Sequence, residues 1–214
     1  MRAHGGILGR RACAWVVLVL VWLTATCVPA AAATFNSLEV SRDGDIYRLS
    51  ADVYLDAPLP QVYRVLTDYN HLRRISRVVR RSRLLERPDA HTALVYVESR
   101  VCVLFFCHTI KEIQKVTEAP PGTLTAAAIP ELSNVKHDES DWHLQTEGRG
   151  TRMQWNLTIE PEFWIPPLIG PALVKSQLRA EGEFSARGIE KLARERAHLP
   201  PASTSTHAPA AHTR

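Results

Sequence analysis

Metal-ligand spacing is missing from these 214 residues. There is no HExxH, and His71, His91, His108, His137 and His143 have no cysteine pair beside them, which excludes the common zinc signatures. Ser133 and Ser140 lack the flanking glycines of a nucleophile elbow. No catalytic residue, no metal site and no cofactor is therefore expected. Internal repeats are absent. Cysteine is scarce: of four, Cys13 and Cys27 lie in the first 33 residues and only Cys102 and Cys107 beyond them. Acidic residues are missing altogether before Glu39.

That last absence gives the N-terminus its character. Arg2, Arg10 and Arg11 form an unopposed positive start, Ala12 to Leu23 is an apolar run, and Pro29 precedes the small residues Ala30 to Ala33. Residues 1–33 read as a signal peptide cleaved near Ala33, delivering the chain to the periplasm or outside the cell. The alternative is an uncleaved membrane anchor, although Thr24, Thr26 and Pro29 interrupt the span of about 20 apolar residues that an anchor needs. Thr24-Ala25-Thr26 before Cys27 is no lipobox. Three of the 26 Lys+Arg leave with this segment, so 23 remain against 22 Asp+Glu. The basic balance belongs to the leader, and nucleic-acid binding is not expected.

At the other end, residues 198–214 are rich in Pro, Ala, Ser, Thr and His, with no apolar side chain larger than Ala after Leu199. Such a tail cannot bury a core and should be disordered. Residues 34–197 remain as one domain.

Hydrophobic periodicity organises that domain. Tyr47, Leu49, Ala51, Val53 and Leu55 alternate with polar residues, the pattern of a half-buried strand. Pro58 and Pro60 open a helix carrying Val62, Tyr63, Leu66, Tyr69 and Leu72, broken near Asp68-Tyr69-Asn70. Strands follow from Arg77 to about Asp89, Thr92 to Val103, His108 to Thr117, Leu124 to Ile129, Asp141 to Glu147 and Thr151 to Glu160, the last two joined by Gly148-Arg149-Gly150. Pro171 to Arg196 reads as a long helix with Val174, Leu178, Phe184, Ile189 and Leu192 as its apolar stripe. Gly182 and Gly188 inside it imply close packing or room for something bulky.

This order, with Ala57-Pro58, Val62-Tyr63-x-Val65-Leu66-x-Asp68-Tyr69 and Leu72 near its start, resembles the START-like polyketide cyclase and lipid-transport superfamily. Pro161-x-Phe163-x-Ile165-Pro166-Pro167-Leu168 resembles the loop that precedes the family's last helix. The nearest branch looks like the bacterial relatives of the coenzyme Q-binding START-like proteins, with Arg73-Arg74-Ile75 standing where many relatives have an aromatic and a proline. The resemblance covers residues 46–195. It implies an α+β helix-grip fold: a curved antiparallel sheet wrapped around a long C-terminal helix, with an internal cavity for an apolar molecule.

The candidate cavity wall is Tyr47, Tyr96, Trp142, Met153, Trp155 and Leu157 on strands, with Leu178 and Phe184 on the helix. Core packing is the alternative for each. Phe163, Trp164, Ile165, Pro166, Pro167 and Leu168 are too proline-rich for regular structure yet apolar, either a cap on the core or a gate that touches a membrane. Cys102 and Cys107 bracket Val103-Leu104-Phe105-Phe106. On one strand the two sulfurs would stand about 17 Å apart, whereas a hairpin tip brings them together as a disulfide, the reading that an oxidising compartment favours. The alternative is a buried strand with two inert thiols. Arg73, Arg74, Arg77, Arg80, Arg81 and Arg83 form a basic patch, either a solvated face or a contact for anionic headgroups or an acidic partner.

The resulting expectation is an exported, non-enzymatic domain that binds or carries a hydrophobic ligand (lipid, isoprenoid or polyketide-like), with transient membrane contact. A cyclase- or aromatase-like enzyme is the first alternative and an interaction module with a filled cavity the second. The enzyme alternative needs ionisable groups converging in the cavity, and the inward faces assigned here are nearly all apolar.

Overall fold

The structure is a computed structural model that describes residues 33–198 apart from Leu104, Pro166 and Ile169. The expected signal segment up to Ala32, the tail beyond His198 and Pro166 of the expected gate lie outside the described residues. In chain order the elements are β1 (Thr34–Asp43), β2 (Ile46–Leu55), α1 (Leu59–Leu66), a 3-10 turn (Leu72–Arg74), β3 (Val79–Asp89), β4 (Thr92–Val103), β5 (Phe106–Ala119), β6 (Thr123–Ala128), β7 (His137–Glu147), β8 (Gly150–Glu160) and α2 (Gly170–His198). The strands form one antiparallel sheet in the order β1-β2-β8-β7-β6-β5-β4-β3. It runs as hairpins except where β2 pairs with β8, so α1 and the 3-10 turn cross from one side of the sheet to the other edge.

Alternation in β2 does what period-2 patterning predicts. Tyr47, Leu49, Ala51, Val53 and Leu55 are buried, while Arg48 and Ser50 face solvent. Val53, Leu55, Met153 of β8 and Val62 of α1 meet Ala186, Ile189, Leu192 and Ala193 of α2 in one core, where each fully buried Val, Leu, Ile or Met contributes roughly 1.5–3 kcal/mol. Polar locks add to it. The Asp56 backbone N–H donates to Glu190 Oε2 at 2.9 Å, and the Asp56 carboxylate pairs with Arg149 and Arg194.

All this packing holds the C-terminal half of α2. Apart from Gly170, every buried residue of the helix lies between Gly182 and Ala193. At Gly182 a Cβ would stand 3.1 Å from Leu49 Cδ1 and 3.4 Å from Leu38 Cδ1, so this glycine marks close approach of helix to sheet. The first half of α2 instead presents Val174, Gln177, Leu178 and Glu181 to a cavity lined by β4, β5, β7 and β8. This is the helix-grip arrangement.

Two elements differ from the sequence expectation. β1 is additional to it: only Leu38 of its ten residues is buried, so it carries no alternation to read. β7 starts at His137, four residues before the expected Asp141, with the consequence described next.

Candidate functional site

A cavity of about 300 Å³ lies between the sheet and the first half of α2, near the lower end of the ~300–1,000 Å³ range of small-molecule sites. Its wall is mostly apolar. Trp142, Trp155, Leu157 and Leu178 line it. Trp142 and Trp155 are directly opposed on β7 and β8, their rings stacked with centroids 6.2 Å apart and planes 11° from parallel. The Trp155 indole N–H is buried with no partner among the described residues.

The other four residues expected in the wall stand elsewhere. Tyr47 and Met153 are buried core rather than lining. Tyr96 projects from the opposite face of β4 to its buried neighbours Val95 and Val97 and donates to Glu98. Phe184 is exposed under the Arg77 guanidinium, 5.0 Å from its ring centroid. The helical period explains that error: the inward face runs Val174, Leu178, Gly182, Ser185, Ile189, and six residues beyond Leu178 is about 240° of rotation, off that face.

Two carboxyls stand in the wall where apolar lining was expected. On β5, Ile110, Glu112, Gln114 and Val116 point inward; on β7, Asp138 and Trp142 do. β6 ends at Ala128, so the sheet splits beyond it, and Glu112 and Asp138 flank the gap from β5 and β7. Glu112 is 4 % exposed. Gln114 Nε2 donates to its Oε1 at 3.1 Å, and its Oε2 has no partner among the described residues. Burial, then the charge of Asp138, pushes the Glu112 pKa well above the usual carboxylate range. Burial raises Asp138 to about 7; the surface it retains is explained by its opening onto the cavity. Glu181 of α2 also lines the space, but is satisfied by Ser76 Oγ at 2.7 Å, the Arg77 N–H at 2.9 Å and Arg77 Nε at 3.3 Å. No Lys, Arg or His is part of the described lining. Among the described residues no three His, Cys, Asp or Glu gather as a metal site.

Both carboxyls had a signal in the sequence. Ile110-x-Glu112-x-Gln114-x-Val116 and Asp138-x-Ser140-x-Trp142-x-Leu144 alternate, and period 2 turns the acids to the same side as their apolar partners. Starting this strand at Asp141 leaves Asp138 outside it, and the inward turn of that acid is then lost.

At the end of the cavity marked by Val101, Phe163 and Ile165, two apolar segments meet. Cys102 and Cys107 are register partners of the β4–β5 hairpin and are disulfide-bonded, with Cα atoms 4.0 Å apart. Phe105 at the tip is 93 % exposed. In the loop before α2, Phe163 and Ile165 turn into the cavity, whereas Trp164 and Leu168 are 69 % and 94 % exposed and Pro167 is exposed. The segments are joined by the stack of His108 on Phe163, with centroids 4.1 Å apart, and by Gln177 Nε2 donating to the Cys102 carbonyl at 2.7 Å.

The arginines gather apart from the cavity wall. Arg73, Arg74, Arg80, Arg81 and Arg83 rim a shallow basin with Tyr96 and His71. Arg77 leaves the expected patch to pair with Glu181.

Polyketide cyclase / dehydrase and lipid transport is the family that matches, over residues 47–195. No curated protein matches the chain significantly. Similar solved structures include a Thermus thermophilus protein, at 19 % identity and TM-score 0.58, covering 70 % of this chain and 99 % of its own. A STAR-related lipid transfer protein fragment from Xanthomonas axonopodis gives 17 % and 0.57, covering 74 % and 99 %. The Zhui aromatase/cyclase of Streptomyces sp. R1128 gives 16 % and 0.55, covering 71 % and 96 %. At these identities the likeness shows the fold, and the match does not single out the coenzyme Q-binding branch. With most of the described domain inside the family match and a cavity where helix and sheet part, the chain belongs to the polyketide cyclase/dehydrase and lipid transport family.

Proposed function

We propose that this protein is an exported carrier that takes a hydrophobic, lipid-like molecule into its cavity and exchanges it at a membrane surface. The observation that carries the reading is the juxtaposition of an apolar cavity with solvent-facing Phe105, Phe106, Trp164 and Leu168 beside it. Large exposed apolar side chains grouped together mark contact surfaces, and a cavity opening beside them lets a ligand pass without crossing water. The loop from Phe163 to Leu168 is the gate in this reading, since Phe163 and Ile165 touch the cavity while Trp164, Pro167 and Leu168 face the surroundings. Export is supported by the signal-like N-terminus and by the disulfide at the hairpin tip. The lipid-transfer name of the Xanthomonas structure agrees with it.

Mass spectrometry of organic extracts from protein purified out of its native compartment tests the reading. A hydrophobic molecule should be recovered in near-stoichiometric amount and should compete with a lipophilic dye for the protein. Empty protein that also takes up no dye would overturn it. The Glu112–Asp138 pair favours a second reading, a cyclase-type enzyme, because two carboxyls with raised pKa can donate and accept protons inside a dry site. The aromatase/cyclase name of the Streptomyces structure points the same way.

A further inference from the structure

An apolar cavity binds a chain or ring; a buried polar group in its wall decides what the ligand carries at its end. Glu112 Oε2 is such a group: it belongs to a lining residue, is buried, and has no hydrogen-bond partner among the described residues. Leaving a buried acceptor unmatched costs about 1–3 kcal/mol, a cost that a ligand supplying the donor removes. Asp138 stands across the gap between β5 and β7, close enough for its charge to act on Glu112. The remaining charged group of the described lining is Glu181 on α2, neutralised by Arg77. From β4 the lining residues Val95, Ser99 and Val101 carry no charge, from β8 Trp155, Leu157 and Ile159 carry none, and Gln114 is the polar neighbour on β5 itself. A ligand end inside the cavity therefore meets carboxyls without any balancing cation. A phosphate or carboxylate placed there would be both desolvated and repelled.

We infer that the Glu112–Asp138 pair is the head-group site of the cavity, and that it selects a lipophilic amine, whose ammonium end donates to both carboxyls while the hydrocarbon lies against Trp142 and Trp155. The inference rests on the hydrophobic-ligand reading above. Binding the cation draws the pair into its ionised form, so protons are released to solvent as the ligand enters. Affinity then rises with pH through neutrality, as long as the amine stays protonated.

Dodecylamine, dodecanol and dodecanoate, each below its micelle concentration, separate the possibilities when they displace a lipophilic dye from the intact protein. At pH 7.5 the amine should bind at least about tenfold more tightly than the fatty acid, equivalent to about 1.4 kcal/mol. Glu112→Gln and, separately, Asp138→Asn should each remove most of that preference while dodecanol changes by no more than about twofold. The amine affinity of the unaltered protein should rise from pH 6 to pH 8, and that of the double variant should not. If all three probes bind alike, or if the variants keep the amine preference, the head-group site is wrong while the carrier reading stands. If the alcohol outbinds the amine at every pH, the site reads a neutral donor and the amine assignment is overturned. If no probe displaces the dye, both readings fall.

Discussion

Two buried acids in this molecule have opposite circumstances. Glu118 is satisfied: Tyr69 Oη donates at 2.7 Å, Tyr63 Oη at 3.2 Å, and Arg87 pairs with it at 3.0 Å. Burial and this carboxylate push the Tyr63 hydroxyl up to about 12 and Tyr69 higher. Glu112, by contrast, has one amide donor and, among the described residues, no cation. Its raised pKa means that the folded state binds a proton more readily than the unfolded chain does, and so does the Asp138 pKa near 7. Stability from this pair is fully present below the unfolded carboxylate range, near pH 4. It is lost as pH rises through about 7 for Asp138, and through the raised pKa of Glu112. Glu112→Gln should therefore leave the melting temperature near that of the unaltered protein at pH 4.5. At pH 8 it should raise it by several degrees, given about 1–3 kcal/mol of relieved burial and 2–4 °C per kcal/mol for a domain of this size. Thermal melts at the two pH values check it, and an equal shift at both would show that ionisation is not the cause.

At the scale of elements, the β4–β5 hairpin joins the cavity to the exposed tip. The Cys102–Cys107 bond closes so short a loop that it should add only about 2 kcal/mol, the low end of disulfide stabilisation. Mass analysis of the protein isolated without reductant should show two hydrogen atoms fewer than the reduced form. Cys102→Ser with Cys107→Ser should lower global stability by no more than about that 2 kcal/mol while exposing the tip to proteolysis first. Free thiols in native material would contradict this pairing. The hairpin was legible because two cysteines five residues apart cannot meet on one strand. β2 and β8 were legible because each alternates cleanly, and the long helix because Val174, Leu178, Ile189 and Leu192 keep a helical spacing. β1 was not, since a strand with one buried residue has no pattern, and the start of β7 was not, since its inward position is an acid. Phe184 misled because an exposed aromatic under an arginine reads as apolar whichever way it points.

For the whole molecule, the curved sheet and its long helix were implied by the family resemblance, whereas the anchoring of that helix mainly by its second half was not. The two cavity acids were legible only through strand alternation, because composition alone makes an acid look exposed. What separates a carrier from a filled module is the relation between its stability and its surface. The core rests on the second half of α2, and Trp164 lies outside it, 69 % exposed in the loop before the first half. Replacing Trp164 by Ser removes apolar area from the surface beside the cavity and leaves Phe163 and Ile165 in the wall. A surface change of this kind stays within about 0.5 kcal/mol, whereas emptying a core tryptophan site costs about 3–5 kcal/mol. The carrier reading expects near-native melting of Trp164→Ser with weakened liposome association and slower lipid transfer between vesicles. Leu168→Ser, at 94 % exposure, should behave the same way, and the pair should add. Trp142→Ala, facing the cavity from β7, should instead impair ligand retention. Vesicle cosedimentation and transfer assays run beside thermal melts distinguish the cases. If Trp164→Ser unfolds the domain, or melts normally and transfers lipid normally, the loop is not a gate and the interaction-module reading takes its place.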